Sequence, residues 1–320
     1  MQQQVKCNGT ISSFKIIKFG VPQGSILGSL LFLIYINDLP STSSILHFVL
    51  FADDSNVFAS HRSYHELLLT VNRELLLVAD WFKANKLSLN LTKTNYILFC
   101  SRRKSSPQQK GNIQIDNVDI PQVTSVKFLG VYVDQHITWN NHIEQIAKKI
   151  AKNVGVISRI SYLLPTNILL TLYHCLIHPY IAYCNMIWAS NYNSRLHRII
   201  VLQKKAVRLI AGFPYNSHTG ILKVAQIKQI QICEFMHRYT YKTLPSAYVN
   251  LYSLASDFHS YNTRNLASYR SEFARTNSRK FSVRCAGPVE WNKLPQGLRC
   301  IPNLNLFKQH LRMWLLDQKE

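Results

Sequence analysis

The stretch that decides the fold is ILHFVLFADDSNVFA, residues 45–59. It places two short apolar runs, Ile45–Ala52 and Ser55–Ala59, on either side of the acidic pair Asp53 and Asp54. Apolar runs of this length are typical of strands, and a polar pair between them is typical of a turn. The stretch therefore predicts a β-hairpin that carries two adjacent carboxylates at its tip.

Two carboxylates on a tight turn suit a divalent metal ion. Hard cations such as Mg²⁺ prefer oxygen ligands, and a rigid turn keeps the two charges close enough to share an ion. An isolated Asp-Asp pair is weak support for this, because paired aspartates in turns are usually solvated. Whether the Asp-Asp pair indicates a metal site therefore depends on the segments around it.

A loop and a helix are predicted upstream of the hairpin. GVPQGS (Gly20–Ser25) has the composition of a turn, because Pro22 fixes its own φ angle and the glycines allow backbone angles that other residues avoid. Ser25 is suited to cap the helix predicted by the apolar run Ile26–Ile36, which ends before Pro40.

Downstream, the pattern changes from mixed to helical. Apolar residues recur at helical spacing over Tyr64–Ala84, and Asn95–Cys100 and Ser125–Asp134 are predicted strands. Helices are then predicted over residues 141–163, 167–189 and 195–211. We therefore expect an α+β fold, with an antiparallel sheet and helices first and a mostly α-helical region after it.

The second part of the chain is strongly basic. The 320 residues include 37 Lys or Arg and 16 Asp or Glu, a net charge of +21. Residues 1–144 have a net charge of +3 and residues 145–320 of +18, with no acidic residue between Glu144 and Glu234. This long acid-free run favours contact with a polyanion such as nucleic acid over the alternative, an ordinary solvated basic face.

Composition excludes several other classes of protein. Apolar residues make up 47% of the chain, which excludes general disorder. Seven cysteines, none in a CxxC pair, argue against a disulfide scaffold or a zinc ribbon and favour a reducing compartment. No signal-peptide pattern opens the sequence, so we expect an intracellular protein of the nucleus or cytoplasm.

A membrane span and a zinc site are considered and disfavoured. Residues 160–194 lack Lys, Arg, Asp and Glu, but His174, His178 and Pro179 are unfavourable at bilayer depth. We interpret this stretch as a buried helix pair bent at Pro179 and predict no membrane partner. Core packing is likewise favoured over zinc binding for His174, Cys175, His178 and Cys184.

The ordered set of segments resembles the reverse transcriptases of non-LTR retrotransposons, especially the jockey-like and chicken-repeat-like elements. The segments that carry the resemblance are GVPQGSILGSLLFLIYINDLP (Gly20–Pro40), FADD (Phe51–Asp54), WFKANKLSLNLTKT (Trp81–Thr94), VKFLGVYVD (Val126–Asp134), LYHCLIHPYIAYCNMIWA (Leu172–Ala189) and FHSYNTRN…GPVEWNKLP (Phe258–Pro295). The resemblance implies a partial reverse-transcriptase palm over residues 1–134, a helical thumb over 135–213 and a basic, mostly helical C-terminal segment over 214–320.

The resemblance also implies roles for individual residues. Asp53 would be the principal ligand of Mg²⁺ in a nucleotidyl transfer, and Asp54 a weaker, partly structural partner. Lys93 would lie near the pyrophosphate, although an ordinary surface lysine is an equally good interpretation. The residues expected to contact substrate or template are Gln23, Gly24, Ser25, Phe51, Phe128, Leu129 and Gly130.

Within that set, Phe128, Leu129 and Gly130 would hold the primer end, a role that is compatible with core packing of the first two. The implied partners are an RNA template, a DNA primer and deoxynucleoside triphosphates. The basic amphipathic helix Leu196–Ala211 is expected to bind along a phosphate backbone. This interpretation is favoured over the alternative, in which its basic face is only solvated. The residues that would bind the phosphates are Arg195, Arg198, Lys204, Lys205 and Arg208.

One part of the expected site is missing from the sequence. The family's palm has a further aspartate on a strand before the GVPQGS loop, yet residues 1–19 contain no Asp or Glu. Two metal ions need donors on more than one side, so we expect an N-terminally truncated RNA-directed DNA polymerase that is inactive alone. The alternative is a non-enzymatic nucleic-acid-binding remnant.

Overall fold

A computed structural model describes residues 2–16, 24–101, 111–212, 224–257 and 268–317. The chain divides into two compact units, Met1–Val123 and Thr124–Glu320. Within the described residues, the first unit combines short antiparallel strand pairs with two α-helices, and the second contains one β-hairpin and ten α-helices. The predicted α+β class is confirmed. The predicted functional boundaries at residues 134 and 213 stay predictions.

Strands of the described residues pair only two at a time, and each pair is antiparallel. The pairs are β1 (Gln2–Gln3) with β4 (Lys15–Ile16), β2 (Lys6–Cys7) with β3 (Thr10–Ile11), β5 (His47–Phe51) with β6 (Asp54–Phe58), β7 (Ile113–Ile115) with β8 (Val118–Ile120), and β9 (Ser125–Phe128) with β10 (Val131–Asp134). The predicted strand Asn95–Cys100 is wrong, because only Tyr96 in it pairs, through one bridge to Gln122. Residues with a high strand propensity do not form a β-ladder unless a neighbouring strand is available to pair with them.

Both helices of the first unit have the predicted bounds. These are α1 (Ile26–Ile36) and α2 (Tyr64–Ala84). Each begins after a serine, Ser25 or Ser63, whose hydroxyl accepts a hydrogen bond from the backbone amide three residues on. Such caps satisfy amide groups that the first helical turn leaves without a partner.

The core of the first unit lies between α2 and the hairpin β5–β6. Val78 and Phe82 of α2 are buried together with Ile36, the last residue of α1. Phe48 and Leu50 of β5 pack against this cluster. One face of the hairpin is therefore fixed to the helices.

Most of α1 faces away from that core. Its apolar side chains remain largely exposed, from 91% at Ile26 to 51% at Leu31. The six that are more than half exposed are Ile26, Leu27, Leu30, Leu31, Leu33 and Ile34. An apolar surface of this extent is unusual for a monomeric soluble unit and marks a contact surface.

The helices of the second unit are α3 (Asn140–Ile160), α4 (Thr166–Leu176), α5 (His178–Ala182), α6 (Asn185–Trp188), α7 (Asn193–Ala211), α8 (Val224–Thr240), α9 (Asn277–Lys280), α10 (Val283–Asn292), α11 (Gln296–Arg299) and α12 (Leu304–Asp317). The predicted bend at Pro179 is a complete break, because Pro179 lies in the first turn of α5. Cys184, at φ +50°, then separates α5 from α6. In the described parts of the chain, we find no helix with the length and apolarity that a membrane crossing requires.

Two apolar clusters hold the second unit together. One joins α3, α4 and α7 around the fully buried Ile150, Tyr173 and Ile199. The other joins α8, α10 and α12 around Met236 and Phe307. The polar faces of α3 and α7 are left at the surface.

Candidate active site

The acidic hairpin has the predicted form. The ladder of β5 and β6 runs to the pair Phe51 and Asp54, which leaves Ala52 and Asp53 as a two-residue turn. Ala52 has a φ angle of +49°. A non-glycine residue in this region is strained by about 1–2 kcal/mol, so the surrounding structure has to impose the turn.

Both carboxylates are available at the tip of this turn. Asp53 and Asp54 are exposed, and among the described residues neither carboxylate makes a hydrogen bond or an ion pair. Adjacent unpaired oxygen donors could bind a divalent cation. However, the described residues contain no group of three or more His, Cys, Asp or Glu side chains able to hold a metal ion.

Successive side chains of β5 alternate between a face that packs against the helices and a face that is exposed to solvent. Phe48 and Leu50 are half-buried against the helices, whereas Val49 and Phe51 are exposed, Phe51 by 59%. This is the period-two pattern of a strand with one buried face. The free face thus presents the Phe51 ring beside Asp54.

The predicted substrate loop is described in part. Gly24 has a φ angle of +83°, and among the described residues no atom lies within 4 Å of the position that a Cβ atom would take there. The Ser25 hydroxyl accepts a hydrogen bond from the Gly28 amide at 3.4 Å, so it serves as the cap of α1. Gln23 lies outside the described residues. Within those residues, no hydrogen bond joins Gly24 or Ser25 to the acidic hairpin.

Lys93 lies on a compact polar turn. Its backbone amide donates to the carbonyl oxygen of Asn90 at 3.1 Å and to the side-chain Oδ1 of the same residue at 3.3 Å. The Lys93 side chain is exposed, and in the described part of the chain it forms no ion pair with Asp53 or Asp54. Both interpretations of this lysine therefore stay open.

A second tight turn contains the residues predicted to hold a primer end. Leu129 and Gly130 connect β9 to β10 with φ angles of +44° and +84°. Two positive φ angles in a two-residue connection are the signature of a type I′ turn. Phe128 and Leu129 are half-buried and Gly130 is exposed, so the turn is accessible from solvent.

The base of this second hairpin is held by Asp134. Its carboxylate accepts hydrogen bonds from the backbone amides of His136, Thr138 and Trp139 at 2.8–3.1 Å. Burial by itself raises the pKa of Asp134, but these hydrogen bonds outweigh that effect and lower the pKa below the ordinary value. The loop between β10 and α3 is thereby fixed.

His142 connects the same hairpin to α3. It is 3% exposed, and its Nδ1 accepts a hydrogen bond from the Tyr132 amide at 3.3 Å. Burial, with a smaller contribution from the charge of Lys149, lowers the pKa of His142 to about 4. The imidazole is therefore neutral at physiological pH, as its acceptor role requires.

The basic helix α7 packs against α3, and the two helices begin at the same end. The carbonyl oxygen of Thr138 accepts hydrogen bonds from Asn191 Nδ2 at 2.9 Å and from Arg195 Nη1 at 3.1 Å. Arg195 is thus used within the protein, and Arg208 is also half-buried. The exposed cations of α7 are Arg198, Lys204 and Lys205, and those of the adjacent part of α3 are Lys148, Lys149 and Lys152.

Comparison with known proteins identifies the family. Residues 1–133 match the family described as reverse transcriptase (RNA-dependent DNA polymerase). The chain is 31% identical over 216 residues to the probable RNA-directed DNA polymerase from transposon X-element of Drosophila melanogaster, an alignment that covers 65% of this chain and 23% of that protein. Residues 1–133 therefore match the reverse transcriptase family, and over about two thirds of its length the chain is similar to jockey-like RNA-directed DNA polymerases.

Two further relatives support this assignment. The RNA-directed DNA polymerase from mobile element jockey of Drosophila melanogaster is 26% identical over 228 residues, which cover 67% of this chain and 24% of that protein. The probable RNA-directed DNA polymerase from transposon BS of the same species is 27% identical over 225 residues, which cover 66% and 24%. The chain spans about a quarter of the length of these relatives. No solved structure matches it.

The predicted resemblance to non-LTR reverse transcriptases is thus confirmed, and the roles of single residues stay predictions. Sequence reasoning missed the lysines Lys148, Lys149 and Lys152, although their helical spacing in an acid-free run was visible. It also missed Tyr183, whose hydroxyl donates to the Leu129 carbonyl oxygen at 2.6 Å. A contact across 54 positions leaves no local signal in a sequence.

Two other features of the structure lie apart from the predicted substrate and metal residues. Core packing is the wrong interpretation for His174 and Cys175, which are exposed, while His178 and Cys184 are half-buried. A cavity of about 710 Å³ lies between α8 and α11, and its lining includes Tyr239, Tyr252, Tyr269 and Arg299. None of the predicted site residues lines it.

Proposed function

We propose that the chain supplies the catalytic hairpin, the primer-end turn and the basic thumb of an RNA-directed DNA polymerase. Its substrates would be an RNA template, a DNA primer and deoxynucleoside triphosphates. The observation that carries the proposal is the exposed pair Asp53 and Asp54 at the tip of the hairpin, with Asp53 in the turn and Asp54 at the start of β6, inside the segment that matches the reverse transcriptase family.

The metal requirement is met only in part. Asp53 and Asp54 are suitable oxygen donors for Mg²⁺, but both belong to one hairpin, and the described residues offer no larger ligand group. A two-metal transfer needs donors that clamp the ions from more than one element. We therefore propose that a donor supplied by another part of the polymerase completes the site.

Substrate contacts are proposed for the residues that the family resemblance singles out. None of the described residues fills the space beside the Gly24 backbone, and a glycine there permits close approach of a nucleotide. Phe51 presents an exposed ring next to the acidic turn. Gln23, Ser25 and Lys93 keep their predicted nucleotide and template roles, and Phe128, Leu129 and Gly130 keep the primer-end role.

The basic faces of α3 and α7 are proposed to bind the sugar-phosphate backbone. Arg198, Lys204 and Lys205 are exposed on one face of α7, while Arg195 donates to a backbone carbonyl and contributes less to the surface. Exposed cations on a rigid helix neutralise phosphates without reading sequence. The same observation favours the second candidate, a nucleic-acid-binding role without catalysis.

Primer extension by a chimera tests the polymerase proposal. The upstream part of the X-element polymerase would be joined to this chain, and extension of a DNA primer on an RNA template would be measured with Mg²⁺. We expect the chimera to extend the primer and the chain alone to remain inactive. Asp53→Ala should abolish extension, because it removes the principal donor.

An exposed aspartate of α2 provides the matched control. Asp80→Ala removes the same charge from the surface and should leave extension by the chimera unchanged. Equal activity of the chimera and its Asp53→Ala variant would contradict the catalytic role. Asp53-dependent synthesis by the chain alone would contradict the need for another donor. Binding of template and primer without any extension would support the second candidate.

A further inference from the structure

The Leu129–Gly130 turn has a conformation that its sequence does not favour. Type I′ turns prefer Asn-Gly, because both central residues take positive φ angles. Leucine is disfavoured at the first position, since its Cβ atom approaches the following carbonyl oxygen when φ is +44°. Something outside the hairpin must therefore favour this conformation.

Tyr183 makes the contact that meets this need. Its hydroxyl donates to the carbonyl oxygen of Leu129 at 2.6 Å. Its Cε1 atom lies 3.4 Å from the position that a Cβ atom on Gly130 would occupy, so the ring lies against the glycine. The turn is thus held by a hydrogen bond at one residue and by ring contact at the next.

The backbone of Tyr183 is itself firmly placed. Its amide donates to the Pro179 carbonyl oxygen at 2.9 Å, and its own carbonyl oxygen accepts from Nε1 of the fully buried Trp188 at 2.7 Å. Gln231 of α8 donates to the neighbouring carbonyl oxygen of Ala182 at 2.6 Å. Tyr183 therefore connects the turn to the packed helices.

Exposure distinguishes this contact from ordinary core packing. The Tyr183 side chain is 53% exposed, so water could satisfy its hydroxyl without any protein partner. A tyrosine retained for burial would lie inside a cluster, whereas this one reaches across the surface to the Leu129 carbonyl group and also interacts with the thiol of its neighbour Cys184.

We propose that Tyr183 is a positioning residue, which holds the Leu129–Gly130 turn in the shape that receives the primer end. The inference rests on the proposed function, because that function makes the turn the site that receives the primer end. It adds that the connection between α5 and α6, which contains Tyr183, supports this site. Tyr183 acts through the turn and does not contact the reacting atoms.

Hydrogen exchange on the full chain tests the first half of the proposal. Phe128 and Val131 form the pair that closes the turn. Tyr183→Phe keeps the ring and removes the hydroxyl, so amide exchange at Phe128 and Val131 should become about fivefold faster, as expected for loss of one neutral hydrogen bond. Tyr192→Phe is the control, because Tyr192 is exposed and its hydroxyl makes no hydrogen bond in the described residues.

A second substitution makes the test specific. Leu129→Asn in the Tyr183→Phe background creates the Asn-Gly sequence that favours this turn on its own. We expect it to restore slow exchange at Phe128 and Val131. Failure to restore it, or unchanged exchange in Tyr183→Phe itself, would overturn the positioning role.

Cross-linking tests the second half. A DNA primer with a photoreactive 3′-terminal nucleotide, annealed to an RNA template, should cross-link to residues 128–130 of the full chain. Tyr183→Phe should lower that yield about fivefold while the total bound primer, measured by filter binding, stays unchanged. An equal yield overturns the proposal. Absence of the cross-link in the unsubstituted chain, with exchange still dependent on Tyr183, would refute the primer role and leave the support of the turn intact.

Discussion

At the residue scale, His142 is a titratable group held neutral by its surroundings. Its pKa is lowered to about 4 by burial and by the charge of Lys149, whereas an unfolded histidine titrates near its ordinary value of 6.5. Below that value the unfolded chain binds a proton that the folded chain does not. Stability from this residue is therefore complete above about pH 6.5 and is lost as the pH falls toward 4.

This gives a prediction for the pH dependence of unfolding. Between pH 7.5 and pH 4.5, His142 should lower the free energy of unfolding by up to about 3 kcal/mol. His142→Gln keeps an acceptor for the Tyr132 amide but does not titrate, so this part of the pH dependence should disappear. Urea unfolding at both pH values measures it.

The exposed His310 of α12 supplies the comparison. His310→Gln should leave the pH dependence of unfolding as it is in the unsubstituted chain. If His142→Gln and the unsubstituted chain lose the same stability between the two pH values, the buried neutral state of His142 is wrong.

At the element scale, the exposed cations of α7 predict a salt effect. Replacement of Arg198, Lys204 and Lys205 by alanine removes up to three phosphate contacts. The slope of log K against log salt for single-stranded RNA should become less steep by about 2, at about 0.7 per phosphate. The loss of affinity should be similar for unrelated sequences, because phosphate contacts do not read bases.

Filter binding over a range of salt concentrations measures this slope. Arg62→Ala, which removes an exposed arginine ahead of α2, should not change it. A triple variant with the original slope would show that α7 does not contact the phosphates.

Elements differ in how far they could be predicted from sequence. The bounds of α1 and α2 were predictable because Ser25 and Ser63 mark their starts and apolar spacing marks their length. The division of residues 167–189 into three helices was not, since the left-handed backbone at Cys184 depends on tertiary contacts. The strand predicted over Asn95–Cys100 was wrong for a similar reason. A strand needs a neighbouring strand to pair with, and the local sequence pattern does not show whether one is present.

At the scale of the whole molecule, the apolar surface of α1 predicts association. Six of its side chains are more than half exposed, which is more than a monomer normally leaves in water. We expect the isolated chain to self-associate as its concentration rises, and Leu30→Gln with Ile34→Gln to reduce this. Sedimentation velocity at several concentrations measures the effect.

Equally exposed apolar residues elsewhere provide the control. Val249→Gln with Phe273→Gln removes side chains that are 67% and 83% exposed, but these do not belong to α1. This control should associate like the unsubstituted chain. Equal association of the α1 variant would show that another surface is responsible.

The candidate site was predictable to the level of its turns and its charges. The acidic hairpin follows from the position of Asp53 and Asp54 between two apolar runs, and the division of charge follows from residue counts. The use of Arg195 within the protein and the support from Tyr183 were not predictable, because each is a contact between distant segments. Contacts between distant segments determine which of the predicted site residues remain available to bind a ligand.

The common starting end of α3 and α7 has an electrostatic consequence. Aligned peptide groups give each helix a dipole whose positive end is its first turn. At α3 the carboxylate of Asp134 faces that end, whereas the first turn of α7 contains no acidic residue. The dipole of α7 therefore adds positive potential at the end of the helix nearest Arg198, where Glu144 of α3 offsets part of the charge of that arginine.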